Sequence, residues 1–176
     1  HLIERCELVV LPVAALLTRE IPSHPPGALV LAHSAGGRLP QTQSEVAVIG
    51  PDDDVVWPAY SKAMDFELEL ACYIGRKGKD VPRDKARDYI VGYTIFNDMS
   101  ARDAQALEMP GMLGPAKSKD FDTGNVMGPC LVTADEIPDP YDLQMIARVN
   151  GEEWGRGTTR DMRWTFEDVI AHISRS

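Results

Sequence analysis

Two glutamates, Glu67 and Glu69, stand two positions apart in a segment that is otherwise largely apolar. Alternate residues of a β-strand point to the same face, so these carboxylates would lie side by side, with Cα atoms roughly 6.5–7 Å apart. Phe66, Leu68 and Leu70 would then line the opposite face as core residues. Neighbouring carboxylates repel each other unless a cation lies between them, and hard oxygen ligands suit Mg²⁺, Mn²⁺ or Ca²⁺. The alternative interpretation is an edge strand with two solvent-facing acidic residues.

A third carboxylate, Asp98, follows the apolar segment 89–96, where the chain turns towards a predicted helix. A strand end is a rigid place to present a ligand, so Asp98 could complete a set of three carboxylates. Alternatively, it only supports the turn, as Asn-Asp pairs often do. The segment 114–124 carries Lys117 and Lys119. A lysine there could hold a substrate carboxylate or stabilise an enolate, although a loop lysine is usually just solvated.

These residues need strands and short helices to position them. Alternation, β-branched residues and an Asn-Gly turn predict strands and a hairpin, at 46–49, 66–74, 89–96 and 145–154. Capping residues and helix-breaking prolines predict short helices, at 84–88, at 101–108 with Ser100 as the N-cap, and from Thr165 to about residue 173. We therefore expect an α+β fold, mostly β, with a largely antiparallel sheet.

The chain of 176 residues is long enough for one domain with a proper core. Residues 1–44 begin with an apolar stretch and continue with many Pro, Gly, Ser and His residues, so we interpret them as a small N-terminal segment or linker. The main domain is placed at 45–176, where the hydrophobic pattern is denser and more regular.

The charge of the chain excludes several kinds of partner. Its net charge is −9, from 27 acidic and 18 basic residues, and the basic residues are scattered. Nucleic acid and anionic membranes attract positive surfaces, so neither is an expected partner. No apolar run approaches ~18 residues, so no membrane span is expected. Three widely spaced cysteines fit free thiols in a reducing compartment, and we predict a cytoplasmic protein.

Taken in order, these segments resemble the fumarylacetoacetate hydrolase family. The resemblance covers about residues 45–176 and rests on five ordered motifs. They are Asp-Phe-Glu-Leu-Glu at 65–69, Asn-Asp-Met-Ser-Ala-Arg-Asp-Ala-Gln at 97–105, Gly-Pro-Ala-Lys-Ser-Lys-Asp-Phe at 114–121, Val-Asn-Gly-Glu-Glu-Trp at 149–154 and Trp-Thr-Phe at 164–166. Several motifs in the family's order are a much stronger signal than any one of them alone.

The resemblance implies a mixed β-sandwich roll with short helices and a divalent metal, Mg²⁺ or else Mn²⁺ or Ca²⁺, on Glu67, Glu69 and Asp98. It implies that Lys119 is the active-site lysine and that Gln105 contacts the substrate. Family members bind β-diketo acids, acylpyruvates or other 2-oxo acids, which the metal chelates as an enolate. The expected reaction is hydrolytic C–C bond cleavage. Decarboxylation, isomerisation, hydration or binding without turnover are alternatives. A homodimer is also expected, because the family commonly forms one.

The sequence departs from the family pattern in two places. The family's catalytic His-x-x-Glu pair normally precedes the metal strand, and here only His1 and Glu4 fit the string, far upstream of the usual position. His172 lies in the last predicted helix and is expected to be partly buried. The domain also stops at Ser176, short of the family's closing segments, so it is apparently truncated, and we expect further segments of the site to exist.

Overall fold

Strands dominate the computed structural model, which describes residues 48–112 and 114–175 and the backbone of 6–11 and 29–33. The strands are β1 Cys6–Leu11, β2 Leu29–His33, β3 Val48–Ile49, β4 Met64–Asp65, β5 Leu68–Ile74, β6 Ile90–Asp98, β7 Ser100–Ala101, β8 Asn125–Thr133, β9 Gln144–Val149 and β10 Glu152–Thr158. The helices are α1 Arg83–Ala86, α2 Arg102–Glu108 and α3 Phe166–Ile173. The predicted α+β class, mostly β with short helices, is confirmed.

The strands form two main sheets and one short pair. The larger sheet has five strands in the order β2-β5-β6-β8-β3, the smaller has the order β1-β9-β10, and β4 pairs with β7. Among the strands that the structure describes, every pairing is antiparallel except that of β3 with β8. β1 and β2 come from the part of the chain before residue 45, and each pairs with a strand from the later part.

Local sequence signals explain the hairpin and the last helix. The Asn-Gly turn joins β9 to β10 as predicted, and both turn residues adopt positive φ, 51° for Asn150 and 83° for Gly151. This left-handed backbone suits Asn and Gly. The capping box that begins α3 is also present: the Thr165 hydroxyl accepts from the Asp168 amide, and the Asp168 carboxylate accepts from the Thr165 amide.

The predicted N-cap of α2 is wrong. Ser100 belongs to β7, where it lies opposite Asp65 of β4, and its hydroxyl donates to the Asp98 carbonyl at 3.0 Å. The helix therefore begins after Ala101 without a side-chain cap. Pairing between distant strands has replaced the local capping interaction.

The two faces of the five-stranded sheet have different surroundings. On one face, Leu70 and Cys72 of β5 pack against Phe166 and Ile170 of α3 and Met145 of β9. This contact forms the main core, which also contains the fully buried Tyr93 and Val169. The predicted core role of Leu70 is confirmed, while Leu68 and Phe66 are only partly buried.

The other face carries a smaller apolar cluster of Ala71, Tyr73, Phe96 and Met127. Because strand residues alternate, Glu69 points to this second face with Ala71. This face is therefore apolar along Ala71, Tyr73, Phe96 and Met127, and it becomes polar at Glu69, near the start of β5. In the part of the chain that the structure describes, no helix has both the length and the apolar character needed to cross a bilayer.

Candidate functional site

Two strand ends bring the three predicted carboxylates together. Glu67 lies in the two-residue gap between β4 and β5, and Asp98 is the last residue of β6. The Asp98 amide donates to the Glu67 carbonyl at 3.2 Å, and the Glu67 amide donates to the Asn97 side-chain oxygen at the same distance. Glu69 follows in register, opposite Phe96. Backbone pairing of β5 with β6 therefore determines where the acidic side chains lie.

The carboxylates of Glu67, Glu69 and Asp98 form one cluster. Each offers an oxygen, and the three oxygens lie within 4.8 Å of one another. Glu69 and Asp98 are buried, at 5% and 6% exposure, and the Glu67 side chain is 22% exposed. The alternative of two solvent-facing glutamates is therefore wrong for Glu69.

Lys119 brings a positive charge into this cluster. Its ammonium lies 2.7 Å from Glu67 Oε2 and 2.8 Å from Asp98 Oδ2. The residue is 4% exposed, so it is not the solvated loop lysine of the alternative interpretation. Lys117, two positions earlier in the same loop, is exposed and lies over the Tyr60 ring. The tertiary structure thus distinguishes two lysines that looked equivalent on chemistry alone.

Arg102 connects Gln105 to the carboxylates, although the sequence analysis gave it no role. Its guanidinium donates to Glu67 Oε1 at 2.6 Å, to Gln105 Oε1 at 3.0 Å and to Asp65 Oδ2 at 2.9 Å. Arg102 and Gln105 are three residues apart in α2, so they share a helix face. That spacing, one turn before a predicted substrate residue, is the signal that could have identified Arg102.

Burial and charge shift the pKa values of the two glutamates in opposite directions. Burial, reinforced by the Asp98 and Glu67 carboxylates, raises the pKa of Glu69 well above its ordinary value. Burial also acts to raise the pKa of Glu67, but hydrogen bonds and ion pairs with Lys119 and Arg102 outweigh it and lower that pKa. Burial and the neighbouring carboxylates thus oppose ionisation of Glu69 more than the Lys119 ammonium favours it.

This donor set fits a hard divalent cation. Three clustered carboxylate oxygens suit Mg²⁺, Mn²⁺ or Ca²⁺. Such a cation would offset the repulsion among them, which adds to burial in raising the pKa of Glu69. Among the described residues, Glu67, Glu69 and Asp98 are the one group of three or more Asp, Glu, His or Cys side chains close enough to hold a metal together.

A further buried polar residue, Asn125 of β8, lies next to Asp98. Asn125 lies opposite Asp98 in the β6–β8 register, so the two side chains occupy the same face of the sheet. Asn125 is fully buried, and its side-chain amide has no hydrogen-bond partner within the ranges that the structure describes. Nothing in the local sequence marks Asn125 as a site residue, because an Asn after Gly in a loop is most often a turn residue.

The five predicted site residues lie in one connected group. Gln105 contacts Arg102, Arg102 contacts Glu67, and Lys119 joins Glu67 to Asp98 beside Glu69. The roles assigned to these residues stay predictions.

The structure does not test the family's His-x-x-Glu string. His1 and Glu4 lie outside the described residues. The expectation that His172 is partly buried is wrong: it is exposed, because α3 turns Phe166, Val169 and Ile170 towards the core instead. Moreover, α3 packs on the face of the sheet opposite Glu69.

Comparison with known proteins places this site in a family. The family model described as fumarylacetoacetate (FAA) hydrolase C-terminal matches residues 40–176. The mitochondrial oxaloacetate tautomerase of Homo sapiens is 41% identical over 131 residues, which cover 73% of this chain and 40% of that protein. The chain thus spans less than half the length of this curated relative.

Two solved structures share the fold. The 2-hydroxyhepta-2,4-diene-1,7-dioate isomerase of Mycobacterium marinum has a TM-score of 0.71 and 34% identity, covering 84% of this chain and 57% of that one. The fumarylpyruvate hydrolase of Pseudomonas aeruginosa, solved with Mn²⁺ and pyruvate, has a TM-score of 0.67 and 26% identity, covering 77% and 59%. Since the family model spans most of the chain, and these folds and the ordered motifs agree with it, the chain belongs to the fumarylacetoacetate hydrolase family.

Proposed function

We propose that this domain is part of a divalent-metal-dependent enzyme that acts on β-diketo acids, acylpyruvates or related 2-oxo acids. The observation that carries the proposal is the cluster of Glu67, Glu69 and Asp98 oxygens within 4.8 Å, beside the buried ammonium of Lys119. When bound, Mg²⁺, Mn²⁺ or Ca²⁺ would supply Lewis-acid stabilisation of a developing enolate.

Each of the five residues has a proposed role. Glu67, Glu69 and Asp98 hold the cation. The Lys119 ammonium opposes the negative charge that develops on a substrate oxygen, and its burial strengthens that interaction because little water competes. Gln105 contacts the substrate, with its side-chain oxygen oriented by Arg102.

The first proposed reaction is hydrolytic cleavage of a C–C bond. Water adds to the distal carbonyl carbon, the bond between that carbon and its neighbour breaks, and the departing enolate takes up a proton at carbon. One diketo acid and one water thus give two acids. The support from relatives is the name of the Pseudomonas aeruginosa protein, fumarylpyruvate hydrolase. No water-activating residue is assigned within 48–112 or 114–175.

A second candidate is keto–enol tautomerisation or a related isomerisation. It passes through the same enolate but consumes no water: one proton is removed from carbon or from the enol oxygen, and one proton is returned at the other position. Two relatives favour it by name, the human oxaloacetate tautomerase and the Mycobacterium marinum isomerase.

The test is the loss of the enol absorbance of an acylpyruvate, with and without Mn²⁺ or Mg²⁺. Glu69→Ala should abolish metal-dependent turnover, because it removes a buried carboxylate from the donor set. Glu152→Ala, an exposed glutamate at the start of β10, is the matched control and should keep full activity. Activity that survives both chelator and Glu69→Ala contradicts the proposal.

Product analysis separates the two reactions. Hydrolysis yields two acids in equal amounts, whereas tautomerisation changes the absorbance without a new acid. Binding without turnover would appear as Mn²⁺ affinity that Glu69→Ala removes and no substrate loss. The homodimer and the cytoplasmic location stay predictions, and light scattering measures the first of them.

A further inference from the structure

The loop that delivers Lys119 is tied to α2 by one carboxylate. Oε2 of Glu108, the last residue of α2, accepts hydrogen bonds from the Ala116 amide at 3.0 Å, the Ser118 amide at 3.3 Å and the Ser118 hydroxyl at 2.6 Å. Desolvation acts to raise the pKa of Glu108, but these hydrogen bonds outweigh it and lower that pKa. Glu108 is therefore held as an ionised acceptor for the loop.

Ser118 links Glu108 to the proposed active-site lysine, Lys119, which is the next residue in the chain. It is fully buried, and besides its two bonds to Glu108 its carbonyl accepts from the Ala101 amide at 2.9 Å. Ala101 lies in β7, which pairs with β4 just before Glu67. The next residue after Ser118 is Lys119, whose ammonium reaches Glu67 and Asp98. Ser118 is thus fixed on two sides, one residue from the ammonium-bearing side chain.

The same helix carries the predicted substrate residue. Gln105 and Glu108 are three residues apart in α2, so they lie on neighbouring positions of one helix face. α2 therefore holds Gln105 at one end of that face and the lysine loop at the other.

We propose that Glu108 is a positioning residue that fixes the Lys119 ammonium against the carboxylate cluster through Ser118. This inference rests on the proposed function, since it assigns Lys119 a role in the reaction. A carboxylate suits the task because three donors converge on one of its oxygens, and its negative charge strengthens each of those hydrogen bonds. A displacement of about 1 Å in such a group can cost roughly 10²-fold in rate.

The test compares Glu108→Leu and Glu108→Gln with a matched control. Glu108→Leu should lower kcat by roughly 10²-fold with little change in KM, and Glu108→Gln should keep most of the activity because it retains an acceptor. Glu136→Leu is the control, because Glu136 also accepts from a nearby hydroxyl, that of Thr133, on an exposed turn. The control should leave kcat unchanged.

A double-mutant cycle shows whether Glu108 acts through the lysine. In a Lys119→Met background, Glu108→Leu should cost less than about 2-fold, because the group it positions is already gone. A loss in that background as large as in the wild type would mean that Glu108 only stabilises the fold, and would overturn the proposal.

Hydrogen exchange gives a readout that needs no substrate. The amides of Ala116 and Ser118 should exchange faster in Glu108→Leu than in the wild type, while Mn²⁺ affinity stays the same. If the wild type turns over no oxo acid, the proposed function fails, and the exchange result still decides whether Glu108 holds the loop. Unchanged exchange at these two amides contradicts the inference whatever the activity.

Discussion

The two faces of the five-stranded sheet put one strand to two uses. Leu70 and Cys72 of β5 point to the face that packs against Phe166 of α3. Glu69, directly before Leu70, points to the other face and joins Asp98 in the carboxylate cluster. Because side chains alternate along a strand, a stable core and a charged site share one backbone. Substitutions on one face of the sheet are therefore expected to leave the packing or the charged cluster of the other face unchanged.

The ion pairs on the two sides differ in exposure. The Lys119 and Asp98 side chains are 5% and 9% exposed, whereas those of Arg83 and Asp168, beside α3, are 61% and 28% exposed. Exposed pairs contribute little to stability, while charges buried beside one another carry a desolvation cost. The buried pair is thus best explained by the chemistry of the site, and the exposed pair by the capping of a helix.

The largest effect is expected on the apolar face. Phe166→Ala should lower the free energy of unfolding by about 3–5 kcal/mol, because it leaves a cavity beneath α3. Mn²⁺ affinity of the folded protein should not change. Urea denaturation and calorimetric titration measure the two quantities, with Phe166→Leu as the milder control. Weaker Mn²⁺ binding by a folded Phe166→Ala protein would show that the two faces are not independent.

A somewhat smaller effect is expected on the charged face. Lys119→Met should lower kcat by roughly 10²–10³-fold, as loss of one transition-state donor does, which corresponds to about 2.7–4 kcal/mol. Mn²⁺ should bind at least as tightly, because the ammonium that pairs with Glu67 and Asp98 is gone. Lys117→Met, in the same loop but exposed, is the control and should change neither quantity. Equal losses in both variants would remove the distinction between the lysines.

The smallest effect is a pH dependence at α3. The Arg83 guanidinium, helped by the Thr165 hydroxyl, lowers the pKa of Asp168 to about 2. A lowered pKa in the folded state stabilises the protein above the unfolded value of about 3.9, and this contribution is lost as the pH falls through about 2. Asp168→Asn should therefore flatten the fall in Tm between about pH 4 and pH 2. Asp122→Asn, an exposed aspartate in the loop before β8, should keep the wild-type slope.

Much of the fold follows from local rules. The Asn150-Gly151 turn and the Thr165 capping box each depend on residues within one turn of each other, so they could be predicted. Ser100 shows the limit of such rules. Its position favours a helix cap, but pairing of β7 with β4, 35 positions earlier at Asp65, takes precedence. A contact of that separation leaves no periodic signal in the chain.

The candidate site divides in the same way. Alternation and the end of an apolar segment make Glu67, Glu69 and Asp98 candidate ligands, and the resemblance to the family adds Lys119 and Gln105 as predicted site residues. Only the packed structure shows that Lys119 is buried beside the carboxylates while Lys117 is exposed. It also shows that Arg102 and Glu108 connect α2 to Glu67 and to Ser118, respectively. The physical reason is that residue types and strand periodicity are properties of the chain, whereas burial and contacts between distant segments exist only once the sheets and helices have packed.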